Sequence, residues 1–162
     1  MDRSVLLAIV VVFMVALLAL LVLGWRARVK RQSGIAKPAR APQDAGEILA
    51  HFTGKYVATT SAGDQLDRVA VHGLGFRGSV SIDVHRAGLL VAINGADEFF
   101  IPAQDMRGIG TATWTIDRVV EKDGLDRLEW TLGDKHVDSY FRLDNAAAFE
   151  KIVATLTERK PA

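Results

Sequence analysis

Residues Gly73 to Gly78 read Gly-Leu-Gly-Phe-Arg-Gly, the G-x-G-x-x-G spacing that lets a backbone approach a pyrophosphate. Asp97 and Glu98 follow about twenty residues on, where a dinucleotide site holds a ribose hydroxyl. That chemistry needs a helix N-terminus facing the phosphates. Here Val80, Ile82 and Val84 alternate with Ser79, Ser81, Asp83 and His85, so a strand follows the glycines and the phosphate reading fails. Gly73 to Val80 also spells a kinase-like glycine loop, with Val91-Ala92-Ile93-Asn94 echoing its lysine strand. Asn94 stands where the lysine must be, however, and 162 residues leave too little chain. Glycines at a tight turn or bulge entering a curved strand are expected instead.

Other reactive side chains are equally uncommitted. His51, His72, His85 and His136 have no H-x-H or H-E-x-x-H spacing and no bracketing acids, so they read as surface or strand-edge histidines and no metal is expected. No G-x-S-x-G occurs, and Ser79 and Ser81 read as outward strand residues. Asp97, Glu98, Asp123 and Asp126 fall at or near turns, where solvated charge is expected. The absence of cysteine removes disulfides, thiolate ligands and thiol nucleophiles together. The sequence therefore predicts no catalytic residue, no cofactor and no enzyme activity.

Charge is divided along the chain. The net charge is +1, yet residues 1–42 carry 7 basic and 1 acidic side chains and the remainder 13 and 18. An acidic body excludes nucleic acid as a partner, and the basic N-terminal part has a different role. Residues 5–23 contain no charge, amide or hydroxyl. As a helix they span roughly 28 Å, close to the ~30 Å hydrocarbon core of a bilayer. The run is longer than a signal-peptide core and is followed by basic residues rather than a small-residue cleavage site, so cleavage is not expected. Arg3 with Asp2 lies on one side of it, and Arg26, Arg28, Lys30, Arg31, Lys37 and Arg40 on the other. The positive-inside bias then predicts a single-pass anchor in the cytoplasmic membrane, N-terminus out and C-terminal domain in the cytoplasm. Trp25 is expected at the headgroup level, with Arg26, Arg28, Lys30 and Arg31 against the anionic inner leaflet. Residues 24–46 read as a basic flexible linker unable to build a core, and residues 47–160 as the folded domain.

The domain reads as mainly β. A short helix is expected near its start, where Asp44 and Glu47 resemble a capping pair and Ile48, Leu49 and Phe52 share a helical face. Strands follow at Lys55 to Thr60, Val69 to Val71 and Ser79 to His85. Arg86-Ala87-Gly88 turns the last of these into Leu89 to Ile93, and Asn94-Gly95 leads to Phe99-Phe100-Ile101. Thr113 to Val120 is expected to pair across Asp123-Gly124 with Arg127 to Leu132, and Gly133-Asp134 turns that strand into Lys135 to Leu143, where Val137, Ser139, Phe141 and Leu143 share a face. The total is seven or eight strands, with Trp114 and Trp130 pointing inward. After Asp144 or Asn145 as a cap, Phe149, Ile152, Val153 and Leu156 form the stripe of an amphipathic helix, with Glu150, Lys151, Thr155, Glu158 and Arg159 outward.

An antiparallel run of that length finished by one helix has the element order of the pleckstrin-homology (PH) superfold. Gly88-Leu89-Leu90-Val91, Phe100-Ile101-Pro102, Leu128-Glu129-Trp130 and Tyr140-Phe141-Arg142 resemble bacterial PH-like domains carried on single-pass anchors in actinobacterial proteins. The resemblance implies a barrel of two roughly orthogonal antiparallel sheets capped by the helix, binding of lipids or proteins, and no catalysis. It places Lys55, Arg68, Arg77 and Arg86 where relatives hold phosphoinositides. Asp64, Asp67 and Asp83 lie among them, which speaks against phosphoinositide recognition here. The reading is a membrane-anchored PH-like adaptor presenting a protein-interaction surface at the cytoplasmic face. The alternative is an accessory subunit of a membrane transport complex, or a barrel that binds a small ligand or lipid.

Overall fold

Residues 5–23 hold no side chain that competes for backbone hydrogen bonds, and the residues after them include good helix formers and no proline before Pro38. In the computed structural model, which describes residues 2–112, 114–115, 118–119 and 124–158, the two stretches make one helix, α1 (Arg3–Arg31). It has 29 residues, none of them buried, and is long and apolar enough to cross a membrane. Its last turn carries Arg28, Lys30 and Arg31, the charge sign that a helix C-terminus favours.

The flexible linker expected over 24–46 is corrected at both ends. Residues 24–31 are helical, because the lone Gly24 costs only about 1 kcal/mol and its neighbours propagate the helix. Residues 35–41 belong to the second structural unit, Ile35–Ala162. Ile35 is 5% exposed, Pro38 is buried, and the Phe100 N–H donates to the Ala39 carbonyl at 2.7 Å. This strap folds because an edge strand offers it both an unpaired backbone and an apolar surface.

The domain's strands are β1 (Ile48–Ser61), β2 (Asp64–Arg68), β3 (Gly78–His85), β4 (Gly88–Ile93), β5 (Phe99–Pro102), β6 (Met106–Ala112), β7 (Trp114–Thr115), β8 (Arg118–Val119), β9 (Leu125–Leu132) and β10 (Lys135–Leu143). A 3-10 turn, Ala103–Asp105, precedes β6, and α2 (Ala146–Glu158) closes the chain. All pairings are antiparallel. One sheet runs β5-β4-β3-β1-β10-β9-β6 with β2 attached to β1, and β7 pairs with β8 separately. The mainly β fold with a C-terminal helix is as expected, with more strands than the seven or eight counted. The expected Thr113 to Val120 strand appears as the two short β7 and β8. Thr113, Ile116, Val120, Asp123 and the Trp114 side chain lie outside the described residues, as does Arg159.

Two expected elements are replaced. The helix near Asp44 and Glu47 is instead the first part of β1, with Ala50, Phe52 and Gly54 opposite Val84, Ile82 and Val80 of β3. A short helix is marginal alone, and a long ladder outcompetes it. The strand at Val69 to Val71 is a loop. Val69, Ala70, Val71 and Leu74 are all buried in it, a continuous apolar run that plugs rather than alternates.

β1 is the strand around which the sheet is organised. It pairs with β3 over residues 48–56 and with β10 over residues 54–61, with a register shift between Tyr56 and Ala58. The overlap demands a close approach: a Cβ on Gly54 would collide with the Arg142 carbonyl. The bulge turns Tyr56 and Thr59 to the same side, where a chain of buried groups crosses the core. Trp130 Nε1 lies 2.9 Å from Ser139 Oγ, Ser139 Oγ 2.6 Å from Thr59 Oγ1, Thr59 Oγ1 2.7 Å from the Tyr56 hydroxyl, and that hydroxyl 2.7 Å from the Leu74 carbonyl. The indole only donates and the carbonyl only accepts, so each hydroxyl in between donates once towards Leu74 and accepts once. Burial pushes the Tyr56 hydroxyl well above the ordinary tyrosine range, which keeps that proton in place.

Asn145 caps α2 through its Oδ1, which accepts the Ala148 N–H at 3.2 Å. Phe149 is fully buried and meets Phe52 edge-on at 5.2 Å between ring centroids. On the far side of the sheet Val57, Ala58, Ala112, Leu125 and Tyr140 form a second buried cluster. β10 is thus buried on both faces, where alternation predicted one.

Candidate binding surface

The interior is filled by Trp130, Tyr56, Phe141 and Phe149. The grooves among the described residues lie on the outside. The side chains of His51, Thr53 and Lys55 of β1 and of Ser79, Ser81 and Asp83 of β3 stand on the outer face, and they meet in pairs across the two strands. His51 Nδ1 lies 2.5 Å from Asp83 Oδ1, and Lys55 Nζ donates to Ser79 Oγ at 2.8 Å. Such contacts are what the close, non-hydrogen-bonded pairs of an antiparallel ladder produce. Thr53 Oγ1 donates to Asp144 Oδ2 at 2.6 Å on the other side of β1. An open groove of about 770 Å³ runs here, with Thr53, Lys55, Ser79, Ser81, Asn94 and Arg142 in its wall.

Lys55, Arg68, Arg77 and Arg86, the possible partner or lipid contacts, do not converge. Lys55 sits in this groove, directly opposite Arg142 of β10. Arg68 ends β2, and its Nη1 reaches the Gly75 carbonyl at 3.5 Å, which ties it to the plug loop. Arg77 immediately precedes β3 and Arg86 immediately follows it. At about 3.3 Å per residue the eight-residue strand holds those two roughly 30 Å apart. Cations placed at the two ends of one strand cannot share a ligand headgroup. Arg142, by contrast, was legible as an outward residue between inward Phe141 and Leu143 but was not singled out. On α1, Trp25 and Arg26 lie in the penultimate turns, and Arg28, Lys30 and Arg31 in the last.

A second, narrower cleft of about 430 Å³ lies along the strap, lined by Lys37, Arg40, His72, Asp97, Glu98 and Phe99. Lys37 Nζ is 3.6 Å from Asp97 Oδ2, and His72 donates from Nε2 to the Ile35 carbonyl at 2.9 Å. His72 holds a positive φ of 58°, an uncommon backbone for a side chain of that size, and thereby aims its ring at the strap.

Among the buried polar side chains are Asp126, Asp138 and His85, of which Asp126 and His85 are buried against expectation. Asp126 is only 6% exposed. It lies within β9, its Oδ2 accepting the Leu143 N–H at 3.2 Å, and desolvation raises its pKa above the ordinary carboxylate value despite that bond. Asp138 is buried beside Arg127 and Glu129 and is likewise raised, again chiefly by desolvation. His85, expected at the surface, is buried, with Nδ1 3.0 Å from the Gly46 carbonyl. Among the described residues no three metal-ligating side chains come together.

Residues 35–157 match the family described as Bacterial PH domain-like. No curated protein is matched. Among solved structures, the crystal structure of the C-terminal domain of an unknown protein from Leishmania infantum is similar, with a TM-score of 0.48 and 8% identity over 70% of this chain and 85% of that one.

Proposed function

The chain belongs to the bacterial PH domain-like family, and from that premise we propose that it is an adaptor of the kind carried on single-pass anchors in actinobacterial proteins. α1 holds the domain at the cytoplasmic face of the membrane, and the outer surface of the sheet recruits a protein partner. One observation carries this reading. A helix long and apolar enough to cross a membrane accompanies a domain whose described interior is filled by large side chains, a combination that favours recognition at the surface over an enclosed ligand. The basic residues that end α1 support a cytoplasmic C-terminus. The acidic body suits a protein partner better than a nucleic acid or an anionic lipid surface.

Reporter fusions at each terminus test the placement, with a cytoplasmic signal expected only from the C-terminal one. Cross-linking in intact cells, followed by purification of the full chain, tests recruitment. A discrete protein partner is the expected product. A C-terminus outside the cytoplasm, or cross-links to lipid alone, overturns the proposal.

A further inference from the structure

Like charges placed directly opposite on neighbouring strands repel, because their Cβ atoms stand only about 5 Å apart. Lys55 of β1 and Arg142 of β10 are such a pair. Both are exposed, and among the described residues neither is in an ion pair. A fold that keeps two cations side by side without an ion-pair partner leaves their charge for a ligand to neutralise.

The groove around them adds neutral donors. Lys55 Nζ donates to Ser79 Oγ at 2.8 Å, which fixes the ammonium against the groove wall and leaves the serine its own proton to give. Ser81 and Asn94 stand in the same wall. Its one carboxylate, Asp144, is engaged by the Thr53 hydroxyl at 2.6 Å, and Asp83, farther along β3, is held by His51. Two cations against one carboxylate leave the groove positive on a domain that is acidic overall.

We infer that this groove takes a phosphorylated serine or threonine in an extended segment of the recruited protein. A phosphate monoester brings a charge of about −2 and three acceptor oxygens. The Arg142 guanidinium can bind two of those oxygens as a fork, with the Lys55 ammonium beside it and the Ser79, Ser81 and Asn94 donors around the rest. A carboxylate has half the charge and one oxygen fewer. The groove, at about 770 Å³, is larger than a phosphate group needs and leaves room for chain residues on either side. A protein segment is favoured over a lipid headgroup because an anionic leaflet repels the acidic domain as a whole, whereas a segment in solution meets the groove alone. This rests on the adaptor reading and names the chemical group that its partner carries.

The test uses the full chain in phosphatidylcholine nanodiscs and three end-capped peptides: Gly-Ala-Val-Ser-Val-Ala-Gly phosphorylated on its serine, the same peptide unphosphorylated, and Gly-Ala-Val-Asp-Val-Ala-Gly. The phosphorylated peptide is expected to bind, and the other two to bind at least tenfold more weakly. Lys55→Gln and Arg142→Gln, both at exposed positions, should each cost at least tenfold, and either serves should the other fail to fold. Arg86→Gln, beyond the other end of β3, should stay within twofold of the native chain. Adding a phosphorylated phosphatidylinositol to the nanodiscs should leave the peptide's affinity within twofold. No binding of the phosphorylated peptide, equal binding of either other peptide, unchanged affinity in a folded Lys55 or Arg142 variant, or displacement of the peptide by the lipid overturns the inference. A protein cross-link in cells that survives both substitutions refutes the groove and leaves the adaptor standing. Absence of any cross-linked protein with the native chain refutes both.

Discussion

Tyr56 and Leu74 are 18 positions apart, and the tyrosine hydroxyl donates to the leucine carbonyl at 2.7 Å inside the core. That bond is the last in the directed chain that starts at Trp130. Removing the oxygen in Tyr56→Phe leaves the Leu74 carbonyl only the longer bond from the Thr59 N–H, at 3.4 Å, and the Thr59 hydroxyl without its acceptor. A loss of about 1–3 kcal/mol in unfolding free energy is expected, measured by urea denaturation. Ser139→Ala should cost a similar amount from the other end of the chain. The double variant should fall short of the sum, because both substitutions break one network.

Gly54 sits where β1 is hydrogen-bonded on both sides, and a Cβ there would meet the Arg142 carbonyl. Gly54→Ala is expected to destabilise the domain by about 2–4 kcal/mol through displacement of β10. Alanine at Gly110, whose Cβ position has no neighbour within 4 Å, is the control and should change the midpoint little.

The strap predicts where a soluble fragment must begin. A chain starting at residue 32 keeps the Ala39 bond to Phe100, whereas one starting at residue 43 exposes the β5 edge. The shorter fragment should be about 2–4 kcal/mol less stable and should self-associate, as sedimentation would reveal. Ile35→Ala in the full chain, at about 2–3 kcal/mol, separates the side chain's share from that of the backbone.

Asp126 has a definite pH signature. Burial raises its pKa in the folded chain above the unfolded value, so the stability linked to it is fully present below the unfolded pKa and is lost as pH rises through the folded one. Asp138 works in the same direction. Asp126→Asn keeps an oxygen for the Leu143 N–H and removes the titration. Thermal midpoints should therefore rise relative to the native chain at pH 7, and the gap should close towards pH 4.

The β3–β4 hairpin and α2 could be read from the sequence because the information is local: period two from Ser79 to His85, a turn at Arg86-Ala87, and a helical stripe behind an Asn145 cap. The first part of β1 could not. Ile48, Leu49 and Phe52 fit a helical face as well as a strand, and only β3, some thirty residues on, decides between them. Ile35 is buried by elements remote in sequence, and no periodicity around it announces that. The spread of the basic side chains has a geometric reason, since Arg77 and Arg86 are near in sequence but lie at opposite ends of an extended strand. Asp126 was misread because a residue just past a turn can already be inside the ladder, as its pairing with Phe141 shows.

Tension on the chain from its N-terminal side meets the Ala39–Phe100 bridge before it meets the long ladders of β1. The strap's few bonds, this bridge and that of His72 to the Ile35 carbonyl among them, peel at low load, whereas the ladders resist in shear along many bonds at once. The strap thus acts as a mechanical fuse: drag on the N-terminal helix would first uncover the rim at Phe100 and only at much larger force unravel the barrel.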